Sequence, residues 1–122
     1  MPAPPLIAII EDDDSLRPAL IGLVRSLGYE GEGFPSAEAF LDAGAQHRAA
    51  CLVTDLQLPG LGGLELKVKL AASGCTLPAI VITARGEPAL EERALACGAL
   101  CLLRKPFEAD ALIAAIERAL DS

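Results

Sequence analysis

Short apolar runs alternate with longer stretches of helical periodicity along the whole chain. Leu6-Ile7-Ala8-Ile9-Ile10, Cys51-Leu52-Val53-Thr54, Ala79-Ile80-Val81-Ile82-Thr83 and Leu100-Cys101-Leu102-Leu103 have the pattern of parallel strands buried on both faces. A weaker fifth run, Tyr29-Glu30-Gly31-Glu32-Gly33-Phe34, carries glycines and acids that suit a sheet edge. Between the runs, Leu16, Leu20, Leu23, Val24 and Leu27 recur at helical spacing and Gly28 offers a left-handed stop, predicting a helix over 15–27. Pro18 fits its first turn with Asp14 or Ser15 as N-cap, because first-turn amides have no intrahelical acceptor. Ser36 caps a second helix reaching about Ala43, a third spans 63–72, and Pro88 starts a fourth that ends near Gly98. The fifth covers 108–120 with Leu112, Ile113, Ile116 and Leu120 on one stripe. Five β-α units with short connections and right-handed crossovers make an open, doubly wound parallel sheet with helices on both faces.

Composition narrows this to one domain over 1–122. The chain has 122 residues, 52% of them hydrophobic, enough for a single core. No apolar stretch approaches the roughly 20 residues that span a bilayer, and Met1-Pro2-Ala3-Pro4-Pro5 lacks the features of a signal peptide. A soluble, cytoplasmic protein without membrane contact is expected. The net charge of -7 repels phosphate backbones, so direct nucleic-acid binding by this segment is not expected. Cys51, Cys75, Cys97 and Cys101 show no CxxC spacing and only His47 could assist them, so they read as reduced, buried thiols. His47 itself sits in a polar connection away from the strand ends and reads as an exposed, dispensable histidine.

The candidate chemistry lies where such a sheet binds ligands, beyond the carboxyl ends of its strands. Glu11 and Asp12 follow the first run, Asp55 the third strand, and Lys105 the fifth, while Thr83 ends the fourth. Taken singly, Thr83 is an ordinary strand residue, Lys105 a surface lysine, and acids after a strand are often helix caps, which is the role expected of Asp13 and Asp14. Together they bring three carboxylates, a hydroxyl and an ammonium to one crevice. Neighbouring carboxylates repel, so a hard divalent cation is implied, and oxygen ligands suit magnesium, with manganese as a substitute. One acid remains free to act as nucleophile. Asp55 is the candidate, with Lys105 neutralising charge and Thr83 donating to incoming phosphoryl oxygens.

Glu11-Asp12-Asp13, Asp55 with Leu58-Pro59 and Gly63, Ile82-Thr83-Ala84, and Lys105-Pro106-Phe107 resemble the receiver domains of two-component response regulators. The segments Glu11 to Arg17 and Lys105 to Leu120 are most similar to FixJ-type transcriptional regulators. The resemblance implies a flavodoxin-like, CheY-like fold of strand order 2-1-3-4-5. It also implies that Asp55 accepts a phosphoryl group from a sensor histidine kinase, with Asp12 and Asp55 as direct magnesium ligands, Glu11 acting through water, and the Gln57 backbone carbonyl as a further ligand. Lys105-Pro106 would be a cis peptide. Phosphorylation would switch a surface of helix four, strand five and helix five, with Arg93, Leu95 and Arg118 as candidate contacts, for homodimerisation or an output domain. With no helix-turn-helix here, a C-terminal DNA-binding output domain is expected outside this chain. Gln57 and Arg85 occupy the positions associated with phosphoryl lifetime. Leu102 stands where receivers usually carry an aromatic residue, so the relay is expected to run through Thr83 and the loop from Ala84 to Pro88.

Three other readings compete. Asp12-Asp13-Asp14 contains the DxD of aspartate-nucleophile, magnesium-dependent phosphohydrolases, but the chain has no room for their substrate-covering cap. A flavodoxin-like cofactor carrier needs a phosphate cradle where three aspartates stand. A pseudo-receiver acting only as a binding module would not need the full set of Asp12, Asp55, Thr83 and Lys105.

Overall fold

The computed structural model describes residues 4–58, 60–84 and 88–121. Its elements alternate as the hydrophobic pattern requires: β1 Leu6–Ile10, α1 Leu16–Ser26, β2 Glu30–Phe34, α2 Ala37–Asp42, a 3-10 turn at Ala45–His47, β3 Cys51–Asp55, α3 Gly63–Ala72, β4 Ala79–Thr83, α4 Pro88–Ala96, β5 Cys101–Arg104 and α5 Ala109–Asp121. The strands form one parallel sheet in the order β2-β1-β3-β4-β5.

Side-chain alternation divides each strand between two layers. Ile7, Ile9, Cys51, Val53, Ile80 and Ile82 point to α1 and α5, meeting Leu20, Val24, Leu112 and Ile116. Ala8, Ile10, Leu52 and Ala79 face α2 and α3, against Phe40, Leu66 and Leu70. A smaller third cluster joins Leu56, Leu64, Val81, Ala94 and Ala99, with Leu102 packed against it. The β2 glycines also let α1 approach, since a Cβ on Gly31 would lie 2.6 Å from Val24 Cγ2 and one on Gly33 2.5 Å from Ile21 Cδ1.

Several expectations need correcting. β5 is not buried on both faces: Cys101, Leu102 and Leu103 are half-buried and Arg104 is exposed, because β5 is the outer strand. Ser15 stands at the N-cap of α1 as expected, but its side chain makes no capping bond; the expected capping role falls to Asp13, whose Oδ1 accepts the Ser15 and Leu16 amides at 2.7 and 3.0 Å. Leu27 lies beyond α1 and is exposed. The buried spine of α5 runs through Leu112, Ala115, Ile116 and Ala119, with Ile113 and Leu120 half-buried at its margins. All four cysteines are free, but only Cys51 is buried; Cys75, Cys97 and Cys101 are half-buried. Burial pushes the Cys51 thiol up to about 12. In line with expectation, His47 is exposed, in the 3-10 turn, and Ser36 accepts the Ala39 amide as the α2 cap. No helix among the described residues is long and apolar enough to cross a membrane.

Candidate metal and phosphoacceptor site

Parallel strands all present their carboxyl ends on one side, so the residues that close β1, β3, β4 and β5 meet there. β1 is paired with β3, which places Glu11 and Asp12 beside Asp55. β3 runs through Asp55, which registers with Ile82, so Thr83 lies one step further along its neighbour. Thr83 registers with Arg104, and its backbone carbonyl accepts the Lys105 amide at 2.7 Å. The Lys105-Pro106 peptide is cis.

Glu11, Asp12 and Asp55 each offer a carboxylate oxygen, and these lie within 4.8 Å of one another. Glu11 and Asp55 are buried, whereas Asp12 is exposed. The Lys105 ammonium bridges the buried pair, donating to Glu11 Oε1 at 3.0 Å and Asp55 Oδ2 at 2.8 Å. The remaining oxygens are also held: Glu11 Oε2 accepts the Asp13 amide at 3.1 Å, and Asp55 Oδ1 the Gln57 amide at 3.0 Å.

Burial raises the Glu11 carboxyl above its ordinary 4.5, and the nearby Asp12 and Asp55 acids act in the same direction; hydrogen bonds from Lys105 and the Asp13 amide oppose it. Desolvation disfavours the Lys105 ammonium, yet its bonds to Asp55 and Glu11 outweigh that and hold it above the usual 10.5.

The donor set fits a hard cation. Magnesium takes oxygen ligands at about 2.0–2.1 Å, which puts oxygens on opposite sides of one ion ~4 Å apart. The three carboxylate oxygens, within 4.8 Å of one another, would have to draw closer to share one ion, and the exposed Asp12 side is open to water.

Gln57 has an exposed side chain after β3. Arg85 and most of the loop from Ala84 to Pro88 lie outside the described residues. Arg17 was given no role by its sequence context, yet Nη1 donates to the Glu11 carbonyl at 2.8 Å and Nη2 to Asp14 Oδ1 at 2.7 Å, bracing the acidic loop. The three-residue spacing of Asp14 and Arg17 across the start of the predicted helix was the available signal. Gly63 opens α3 so close to the site that a Cβ there would lie 2.5 Å from the Asp55 carbonyl oxygen.

Residues 7–117 match the response regulator receiver domain family. The chain is 41% identical over 120 residues to the transcriptional regulatory protein FixJ of Azorhizobium caulinodans, covering 98% of this chain and 57% of that one. Nodulation protein W of Bradyrhizobium diazoefficiens is 39% identical, with 93% and 52% covered. The chain thus spans about half the length of these curated relatives. In three dimensions it superposes on the crystal structure of FixJ-N with a TM-score of 0.87 at 34% identity, covering 96% of this chain and 94% of the other. The ordered acids and lysine at the strand ends, the sheet order and these similarities agree: the chain belongs to the response regulator receiver domain family.

Proposed function

We propose that residues 1–122 form one receiver domain of a two-component system in the cytoplasm, which takes a phosphoryl group onto Asp55 from a sensor histidine kinase. The observation that carries this reading is the convergence of Glu11, Asp12 and Asp55, with Lys105 donating to both buried acids.

Asp55 Oδ2 attacks phosphorus as the phosphohistidine N–P bond breaks; an O–P bond forms, and the imidazole leaves with the bonding pair and takes up a proton. Glu11, Asp12, Asp55 and the Gln57 carbonyl would hold magnesium, or manganese in its place, which supplies positive charge to the phosphoryl oxygens. Lys105 is already placed to follow Asp55 Oδ2 when that oxygen is esterified. Thr83, at the end of the adjacent strand, would donate to a second phosphoryl oxygen and carry the change toward α4. Leu102 belongs to the cluster that packs α4, so an aliphatic contact replaces the usual aromatic one. The α4–β5–α5 face would then serve a homodimer or a DNA-binding output domain, the latter supported by likeness to regulators about twice this length.

Incubating the chain with a small-molecule phosphodonor and magnesium should add the mass of one phosphoryl group, read by intact mass spectrometry. Asp55→Asn or chelation of the metal should abolish the adduct, and Asp12→Asn should reduce it at least tenfold. An adduct persisting in Asp55→Asn would end the assignment.

A further inference from the structure

The loop joining β3 to α3 carries Asp55 and Gln57 into the crevice, and backbone bonds fix its inner end. Leu56 donates to the Ile82 carbonyl at 2.7 Å, and Gly63 to the Leu56 carbonyl at 3.1 Å. The outer turn has a different anchor. Glu38, on α2, accepts the Leu61 amide through Oε2 at 3.1 Å. Gly60 adopts φ +75°, and a Cβ there would lie 2.5 Å from the same Glu38 oxygen. The left-handed backbone favours glycine, and a Cβ there would crowd the Glu38 carboxylate.

The helix that carries Glu38 is tied to the opposite bank of the crevice. Phe40 on α2 is fully buried and meets Phe34 edge-on, with ring centroids 5.7 Å apart and planes at 85°. Phe34 in turn accepts the Glu11 amide through its carbonyl at 3.1 Å. Contacts therefore run from Glu11 through Phe34, Phe40 and α2 to Glu38, and from there across to Leu61 and the Asp55 loop. Glu11 and Asp12 stand on one bank, Asp55 on the other.

We propose that Glu38 is a positioning residue for the divalent-cation site, setting the separation of the two acid-bearing loops without touching the ion. The inference rests on the reading of the crevice as a magnesium site. A cation gains most from oxygens already held near their bound positions, and supporting groups outside the ligand shell contribute through that order. Glu38 also sits in the first turn of α2, where its negative charge favours the helix dipole. That second role needs charge, whereas holding Leu61 needs only an acceptor oxygen.

The two roles separate in calorimetric titrations of the full chain with Mg2+, run on wild type, Glu38→Ala and Glu38→Gln. Glu38→Ala should weaken magnesium binding roughly three- to tenfold, with faster hydrogen exchange at the Leu61 amide. Glu38→Gln keeps an acceptor and should stay within about twofold of wild type. Circular dichroism checks that both variants are folded, which the exposed position of Glu38 favours. Wild-type affinity in Glu38→Ala, or equal losses in both variants, overturns the proposal. A wild-type chain that binds no magnesium overturns the metal-site reading and this proposal together; normal wild-type binding with an unaffected Glu38→Ala overturns this proposal alone.

Discussion

Asp12, Asp13 and Asp14 are chemically the same side chain, yet the backbone gives them three tasks. Asp12 faces the acid cluster, Asp13 turns back to cap α1, and Asp14 pairs with Arg17. Which of them caps could not be read from sequence, because the choice depends on the turn leaving β1 and not on residue type. The Leu16 and Ser15 amides hold the Asp13 carboxyl below its ordinary 3.8. Its folded value is thus lower than its unfolded one, so the unfolded chain binds more protons between the two and stability rises with pH there. Asp13→Ala should lower the melting temperature by roughly 2–6 °C at neutral pH. The deficit should persist down to about pH 3.8 and shrink as pH falls through the lower folded value. Thermal melts of both proteins across that range give the measurement; a deficit independent of pH would contradict the cap.

The central strands were legible because β1, β3 and β4 are buried on both faces and their sequences say so. β5 reads the same way in sequence but lies at the sheet edge, where an apolar run is only half covered. Position within the sheet is a property of strand order, which no single run encodes. The α5 spine was misread for a related reason: Ala115 and Ala119 are buried through close approach, which periodicity of large side chains does not register. Gly63 likewise belongs to a helix start in sequence, while its importance lies in the space against β3. A Cβ there would meet the Asp55 carbonyl oxygen at 2.5 Å and Leu56 Cα at 3.1 Å, and backbone cannot swing aside. Gly63→Ala should therefore cost about 1–3 kcal/mol in chemical denaturation, and shift the Asp55 loop enough to weaken magnesium binding. An unchanged unfolding midpoint would show that α3 moves away freely.

The whole molecule places its candidate chemistry on one end of the sheet and its candidate contacts on a side. The meeting of Glu11, Asp12, Asp55, Thr83 and Lys105 was readable because four strand ends carried these groups in order. Contacts were not, since helical spacing alone cannot tell an exposed leucine from a buried one. Leu95 on α4 is 49% exposed, and Arg93 and Arg118 are exposed as well. Across the α4–β5 seam, Arg104 pairs with the buried Glu91 at 2.8 Å, fixing α4 to the outer strand. Under the proposed switch, phosphorylation should favour a dimer on this face. Leu95→Asp should weaken that dimer at least tenfold in sedimentation experiments, with phosphorylation of Asp55 unchanged. A phosphorylated variant that dimerises like wild type would remove α4 from the interface.

The bridge made by Lys105 has a consequence for which ions the crevice accepts. By formal charge, three carboxylates and one ammonium leave two negative charges uncancelled. A potassium or sodium ion would cancel half of that remainder; one divalent ion cancels all of it. Lys105 pairs with one oxygen of each buried acid, so it offsets one of their two formal negative charges without any ion. Under the proposed metal-site reading, valence, and not size alone, would then sort the cations that bind there.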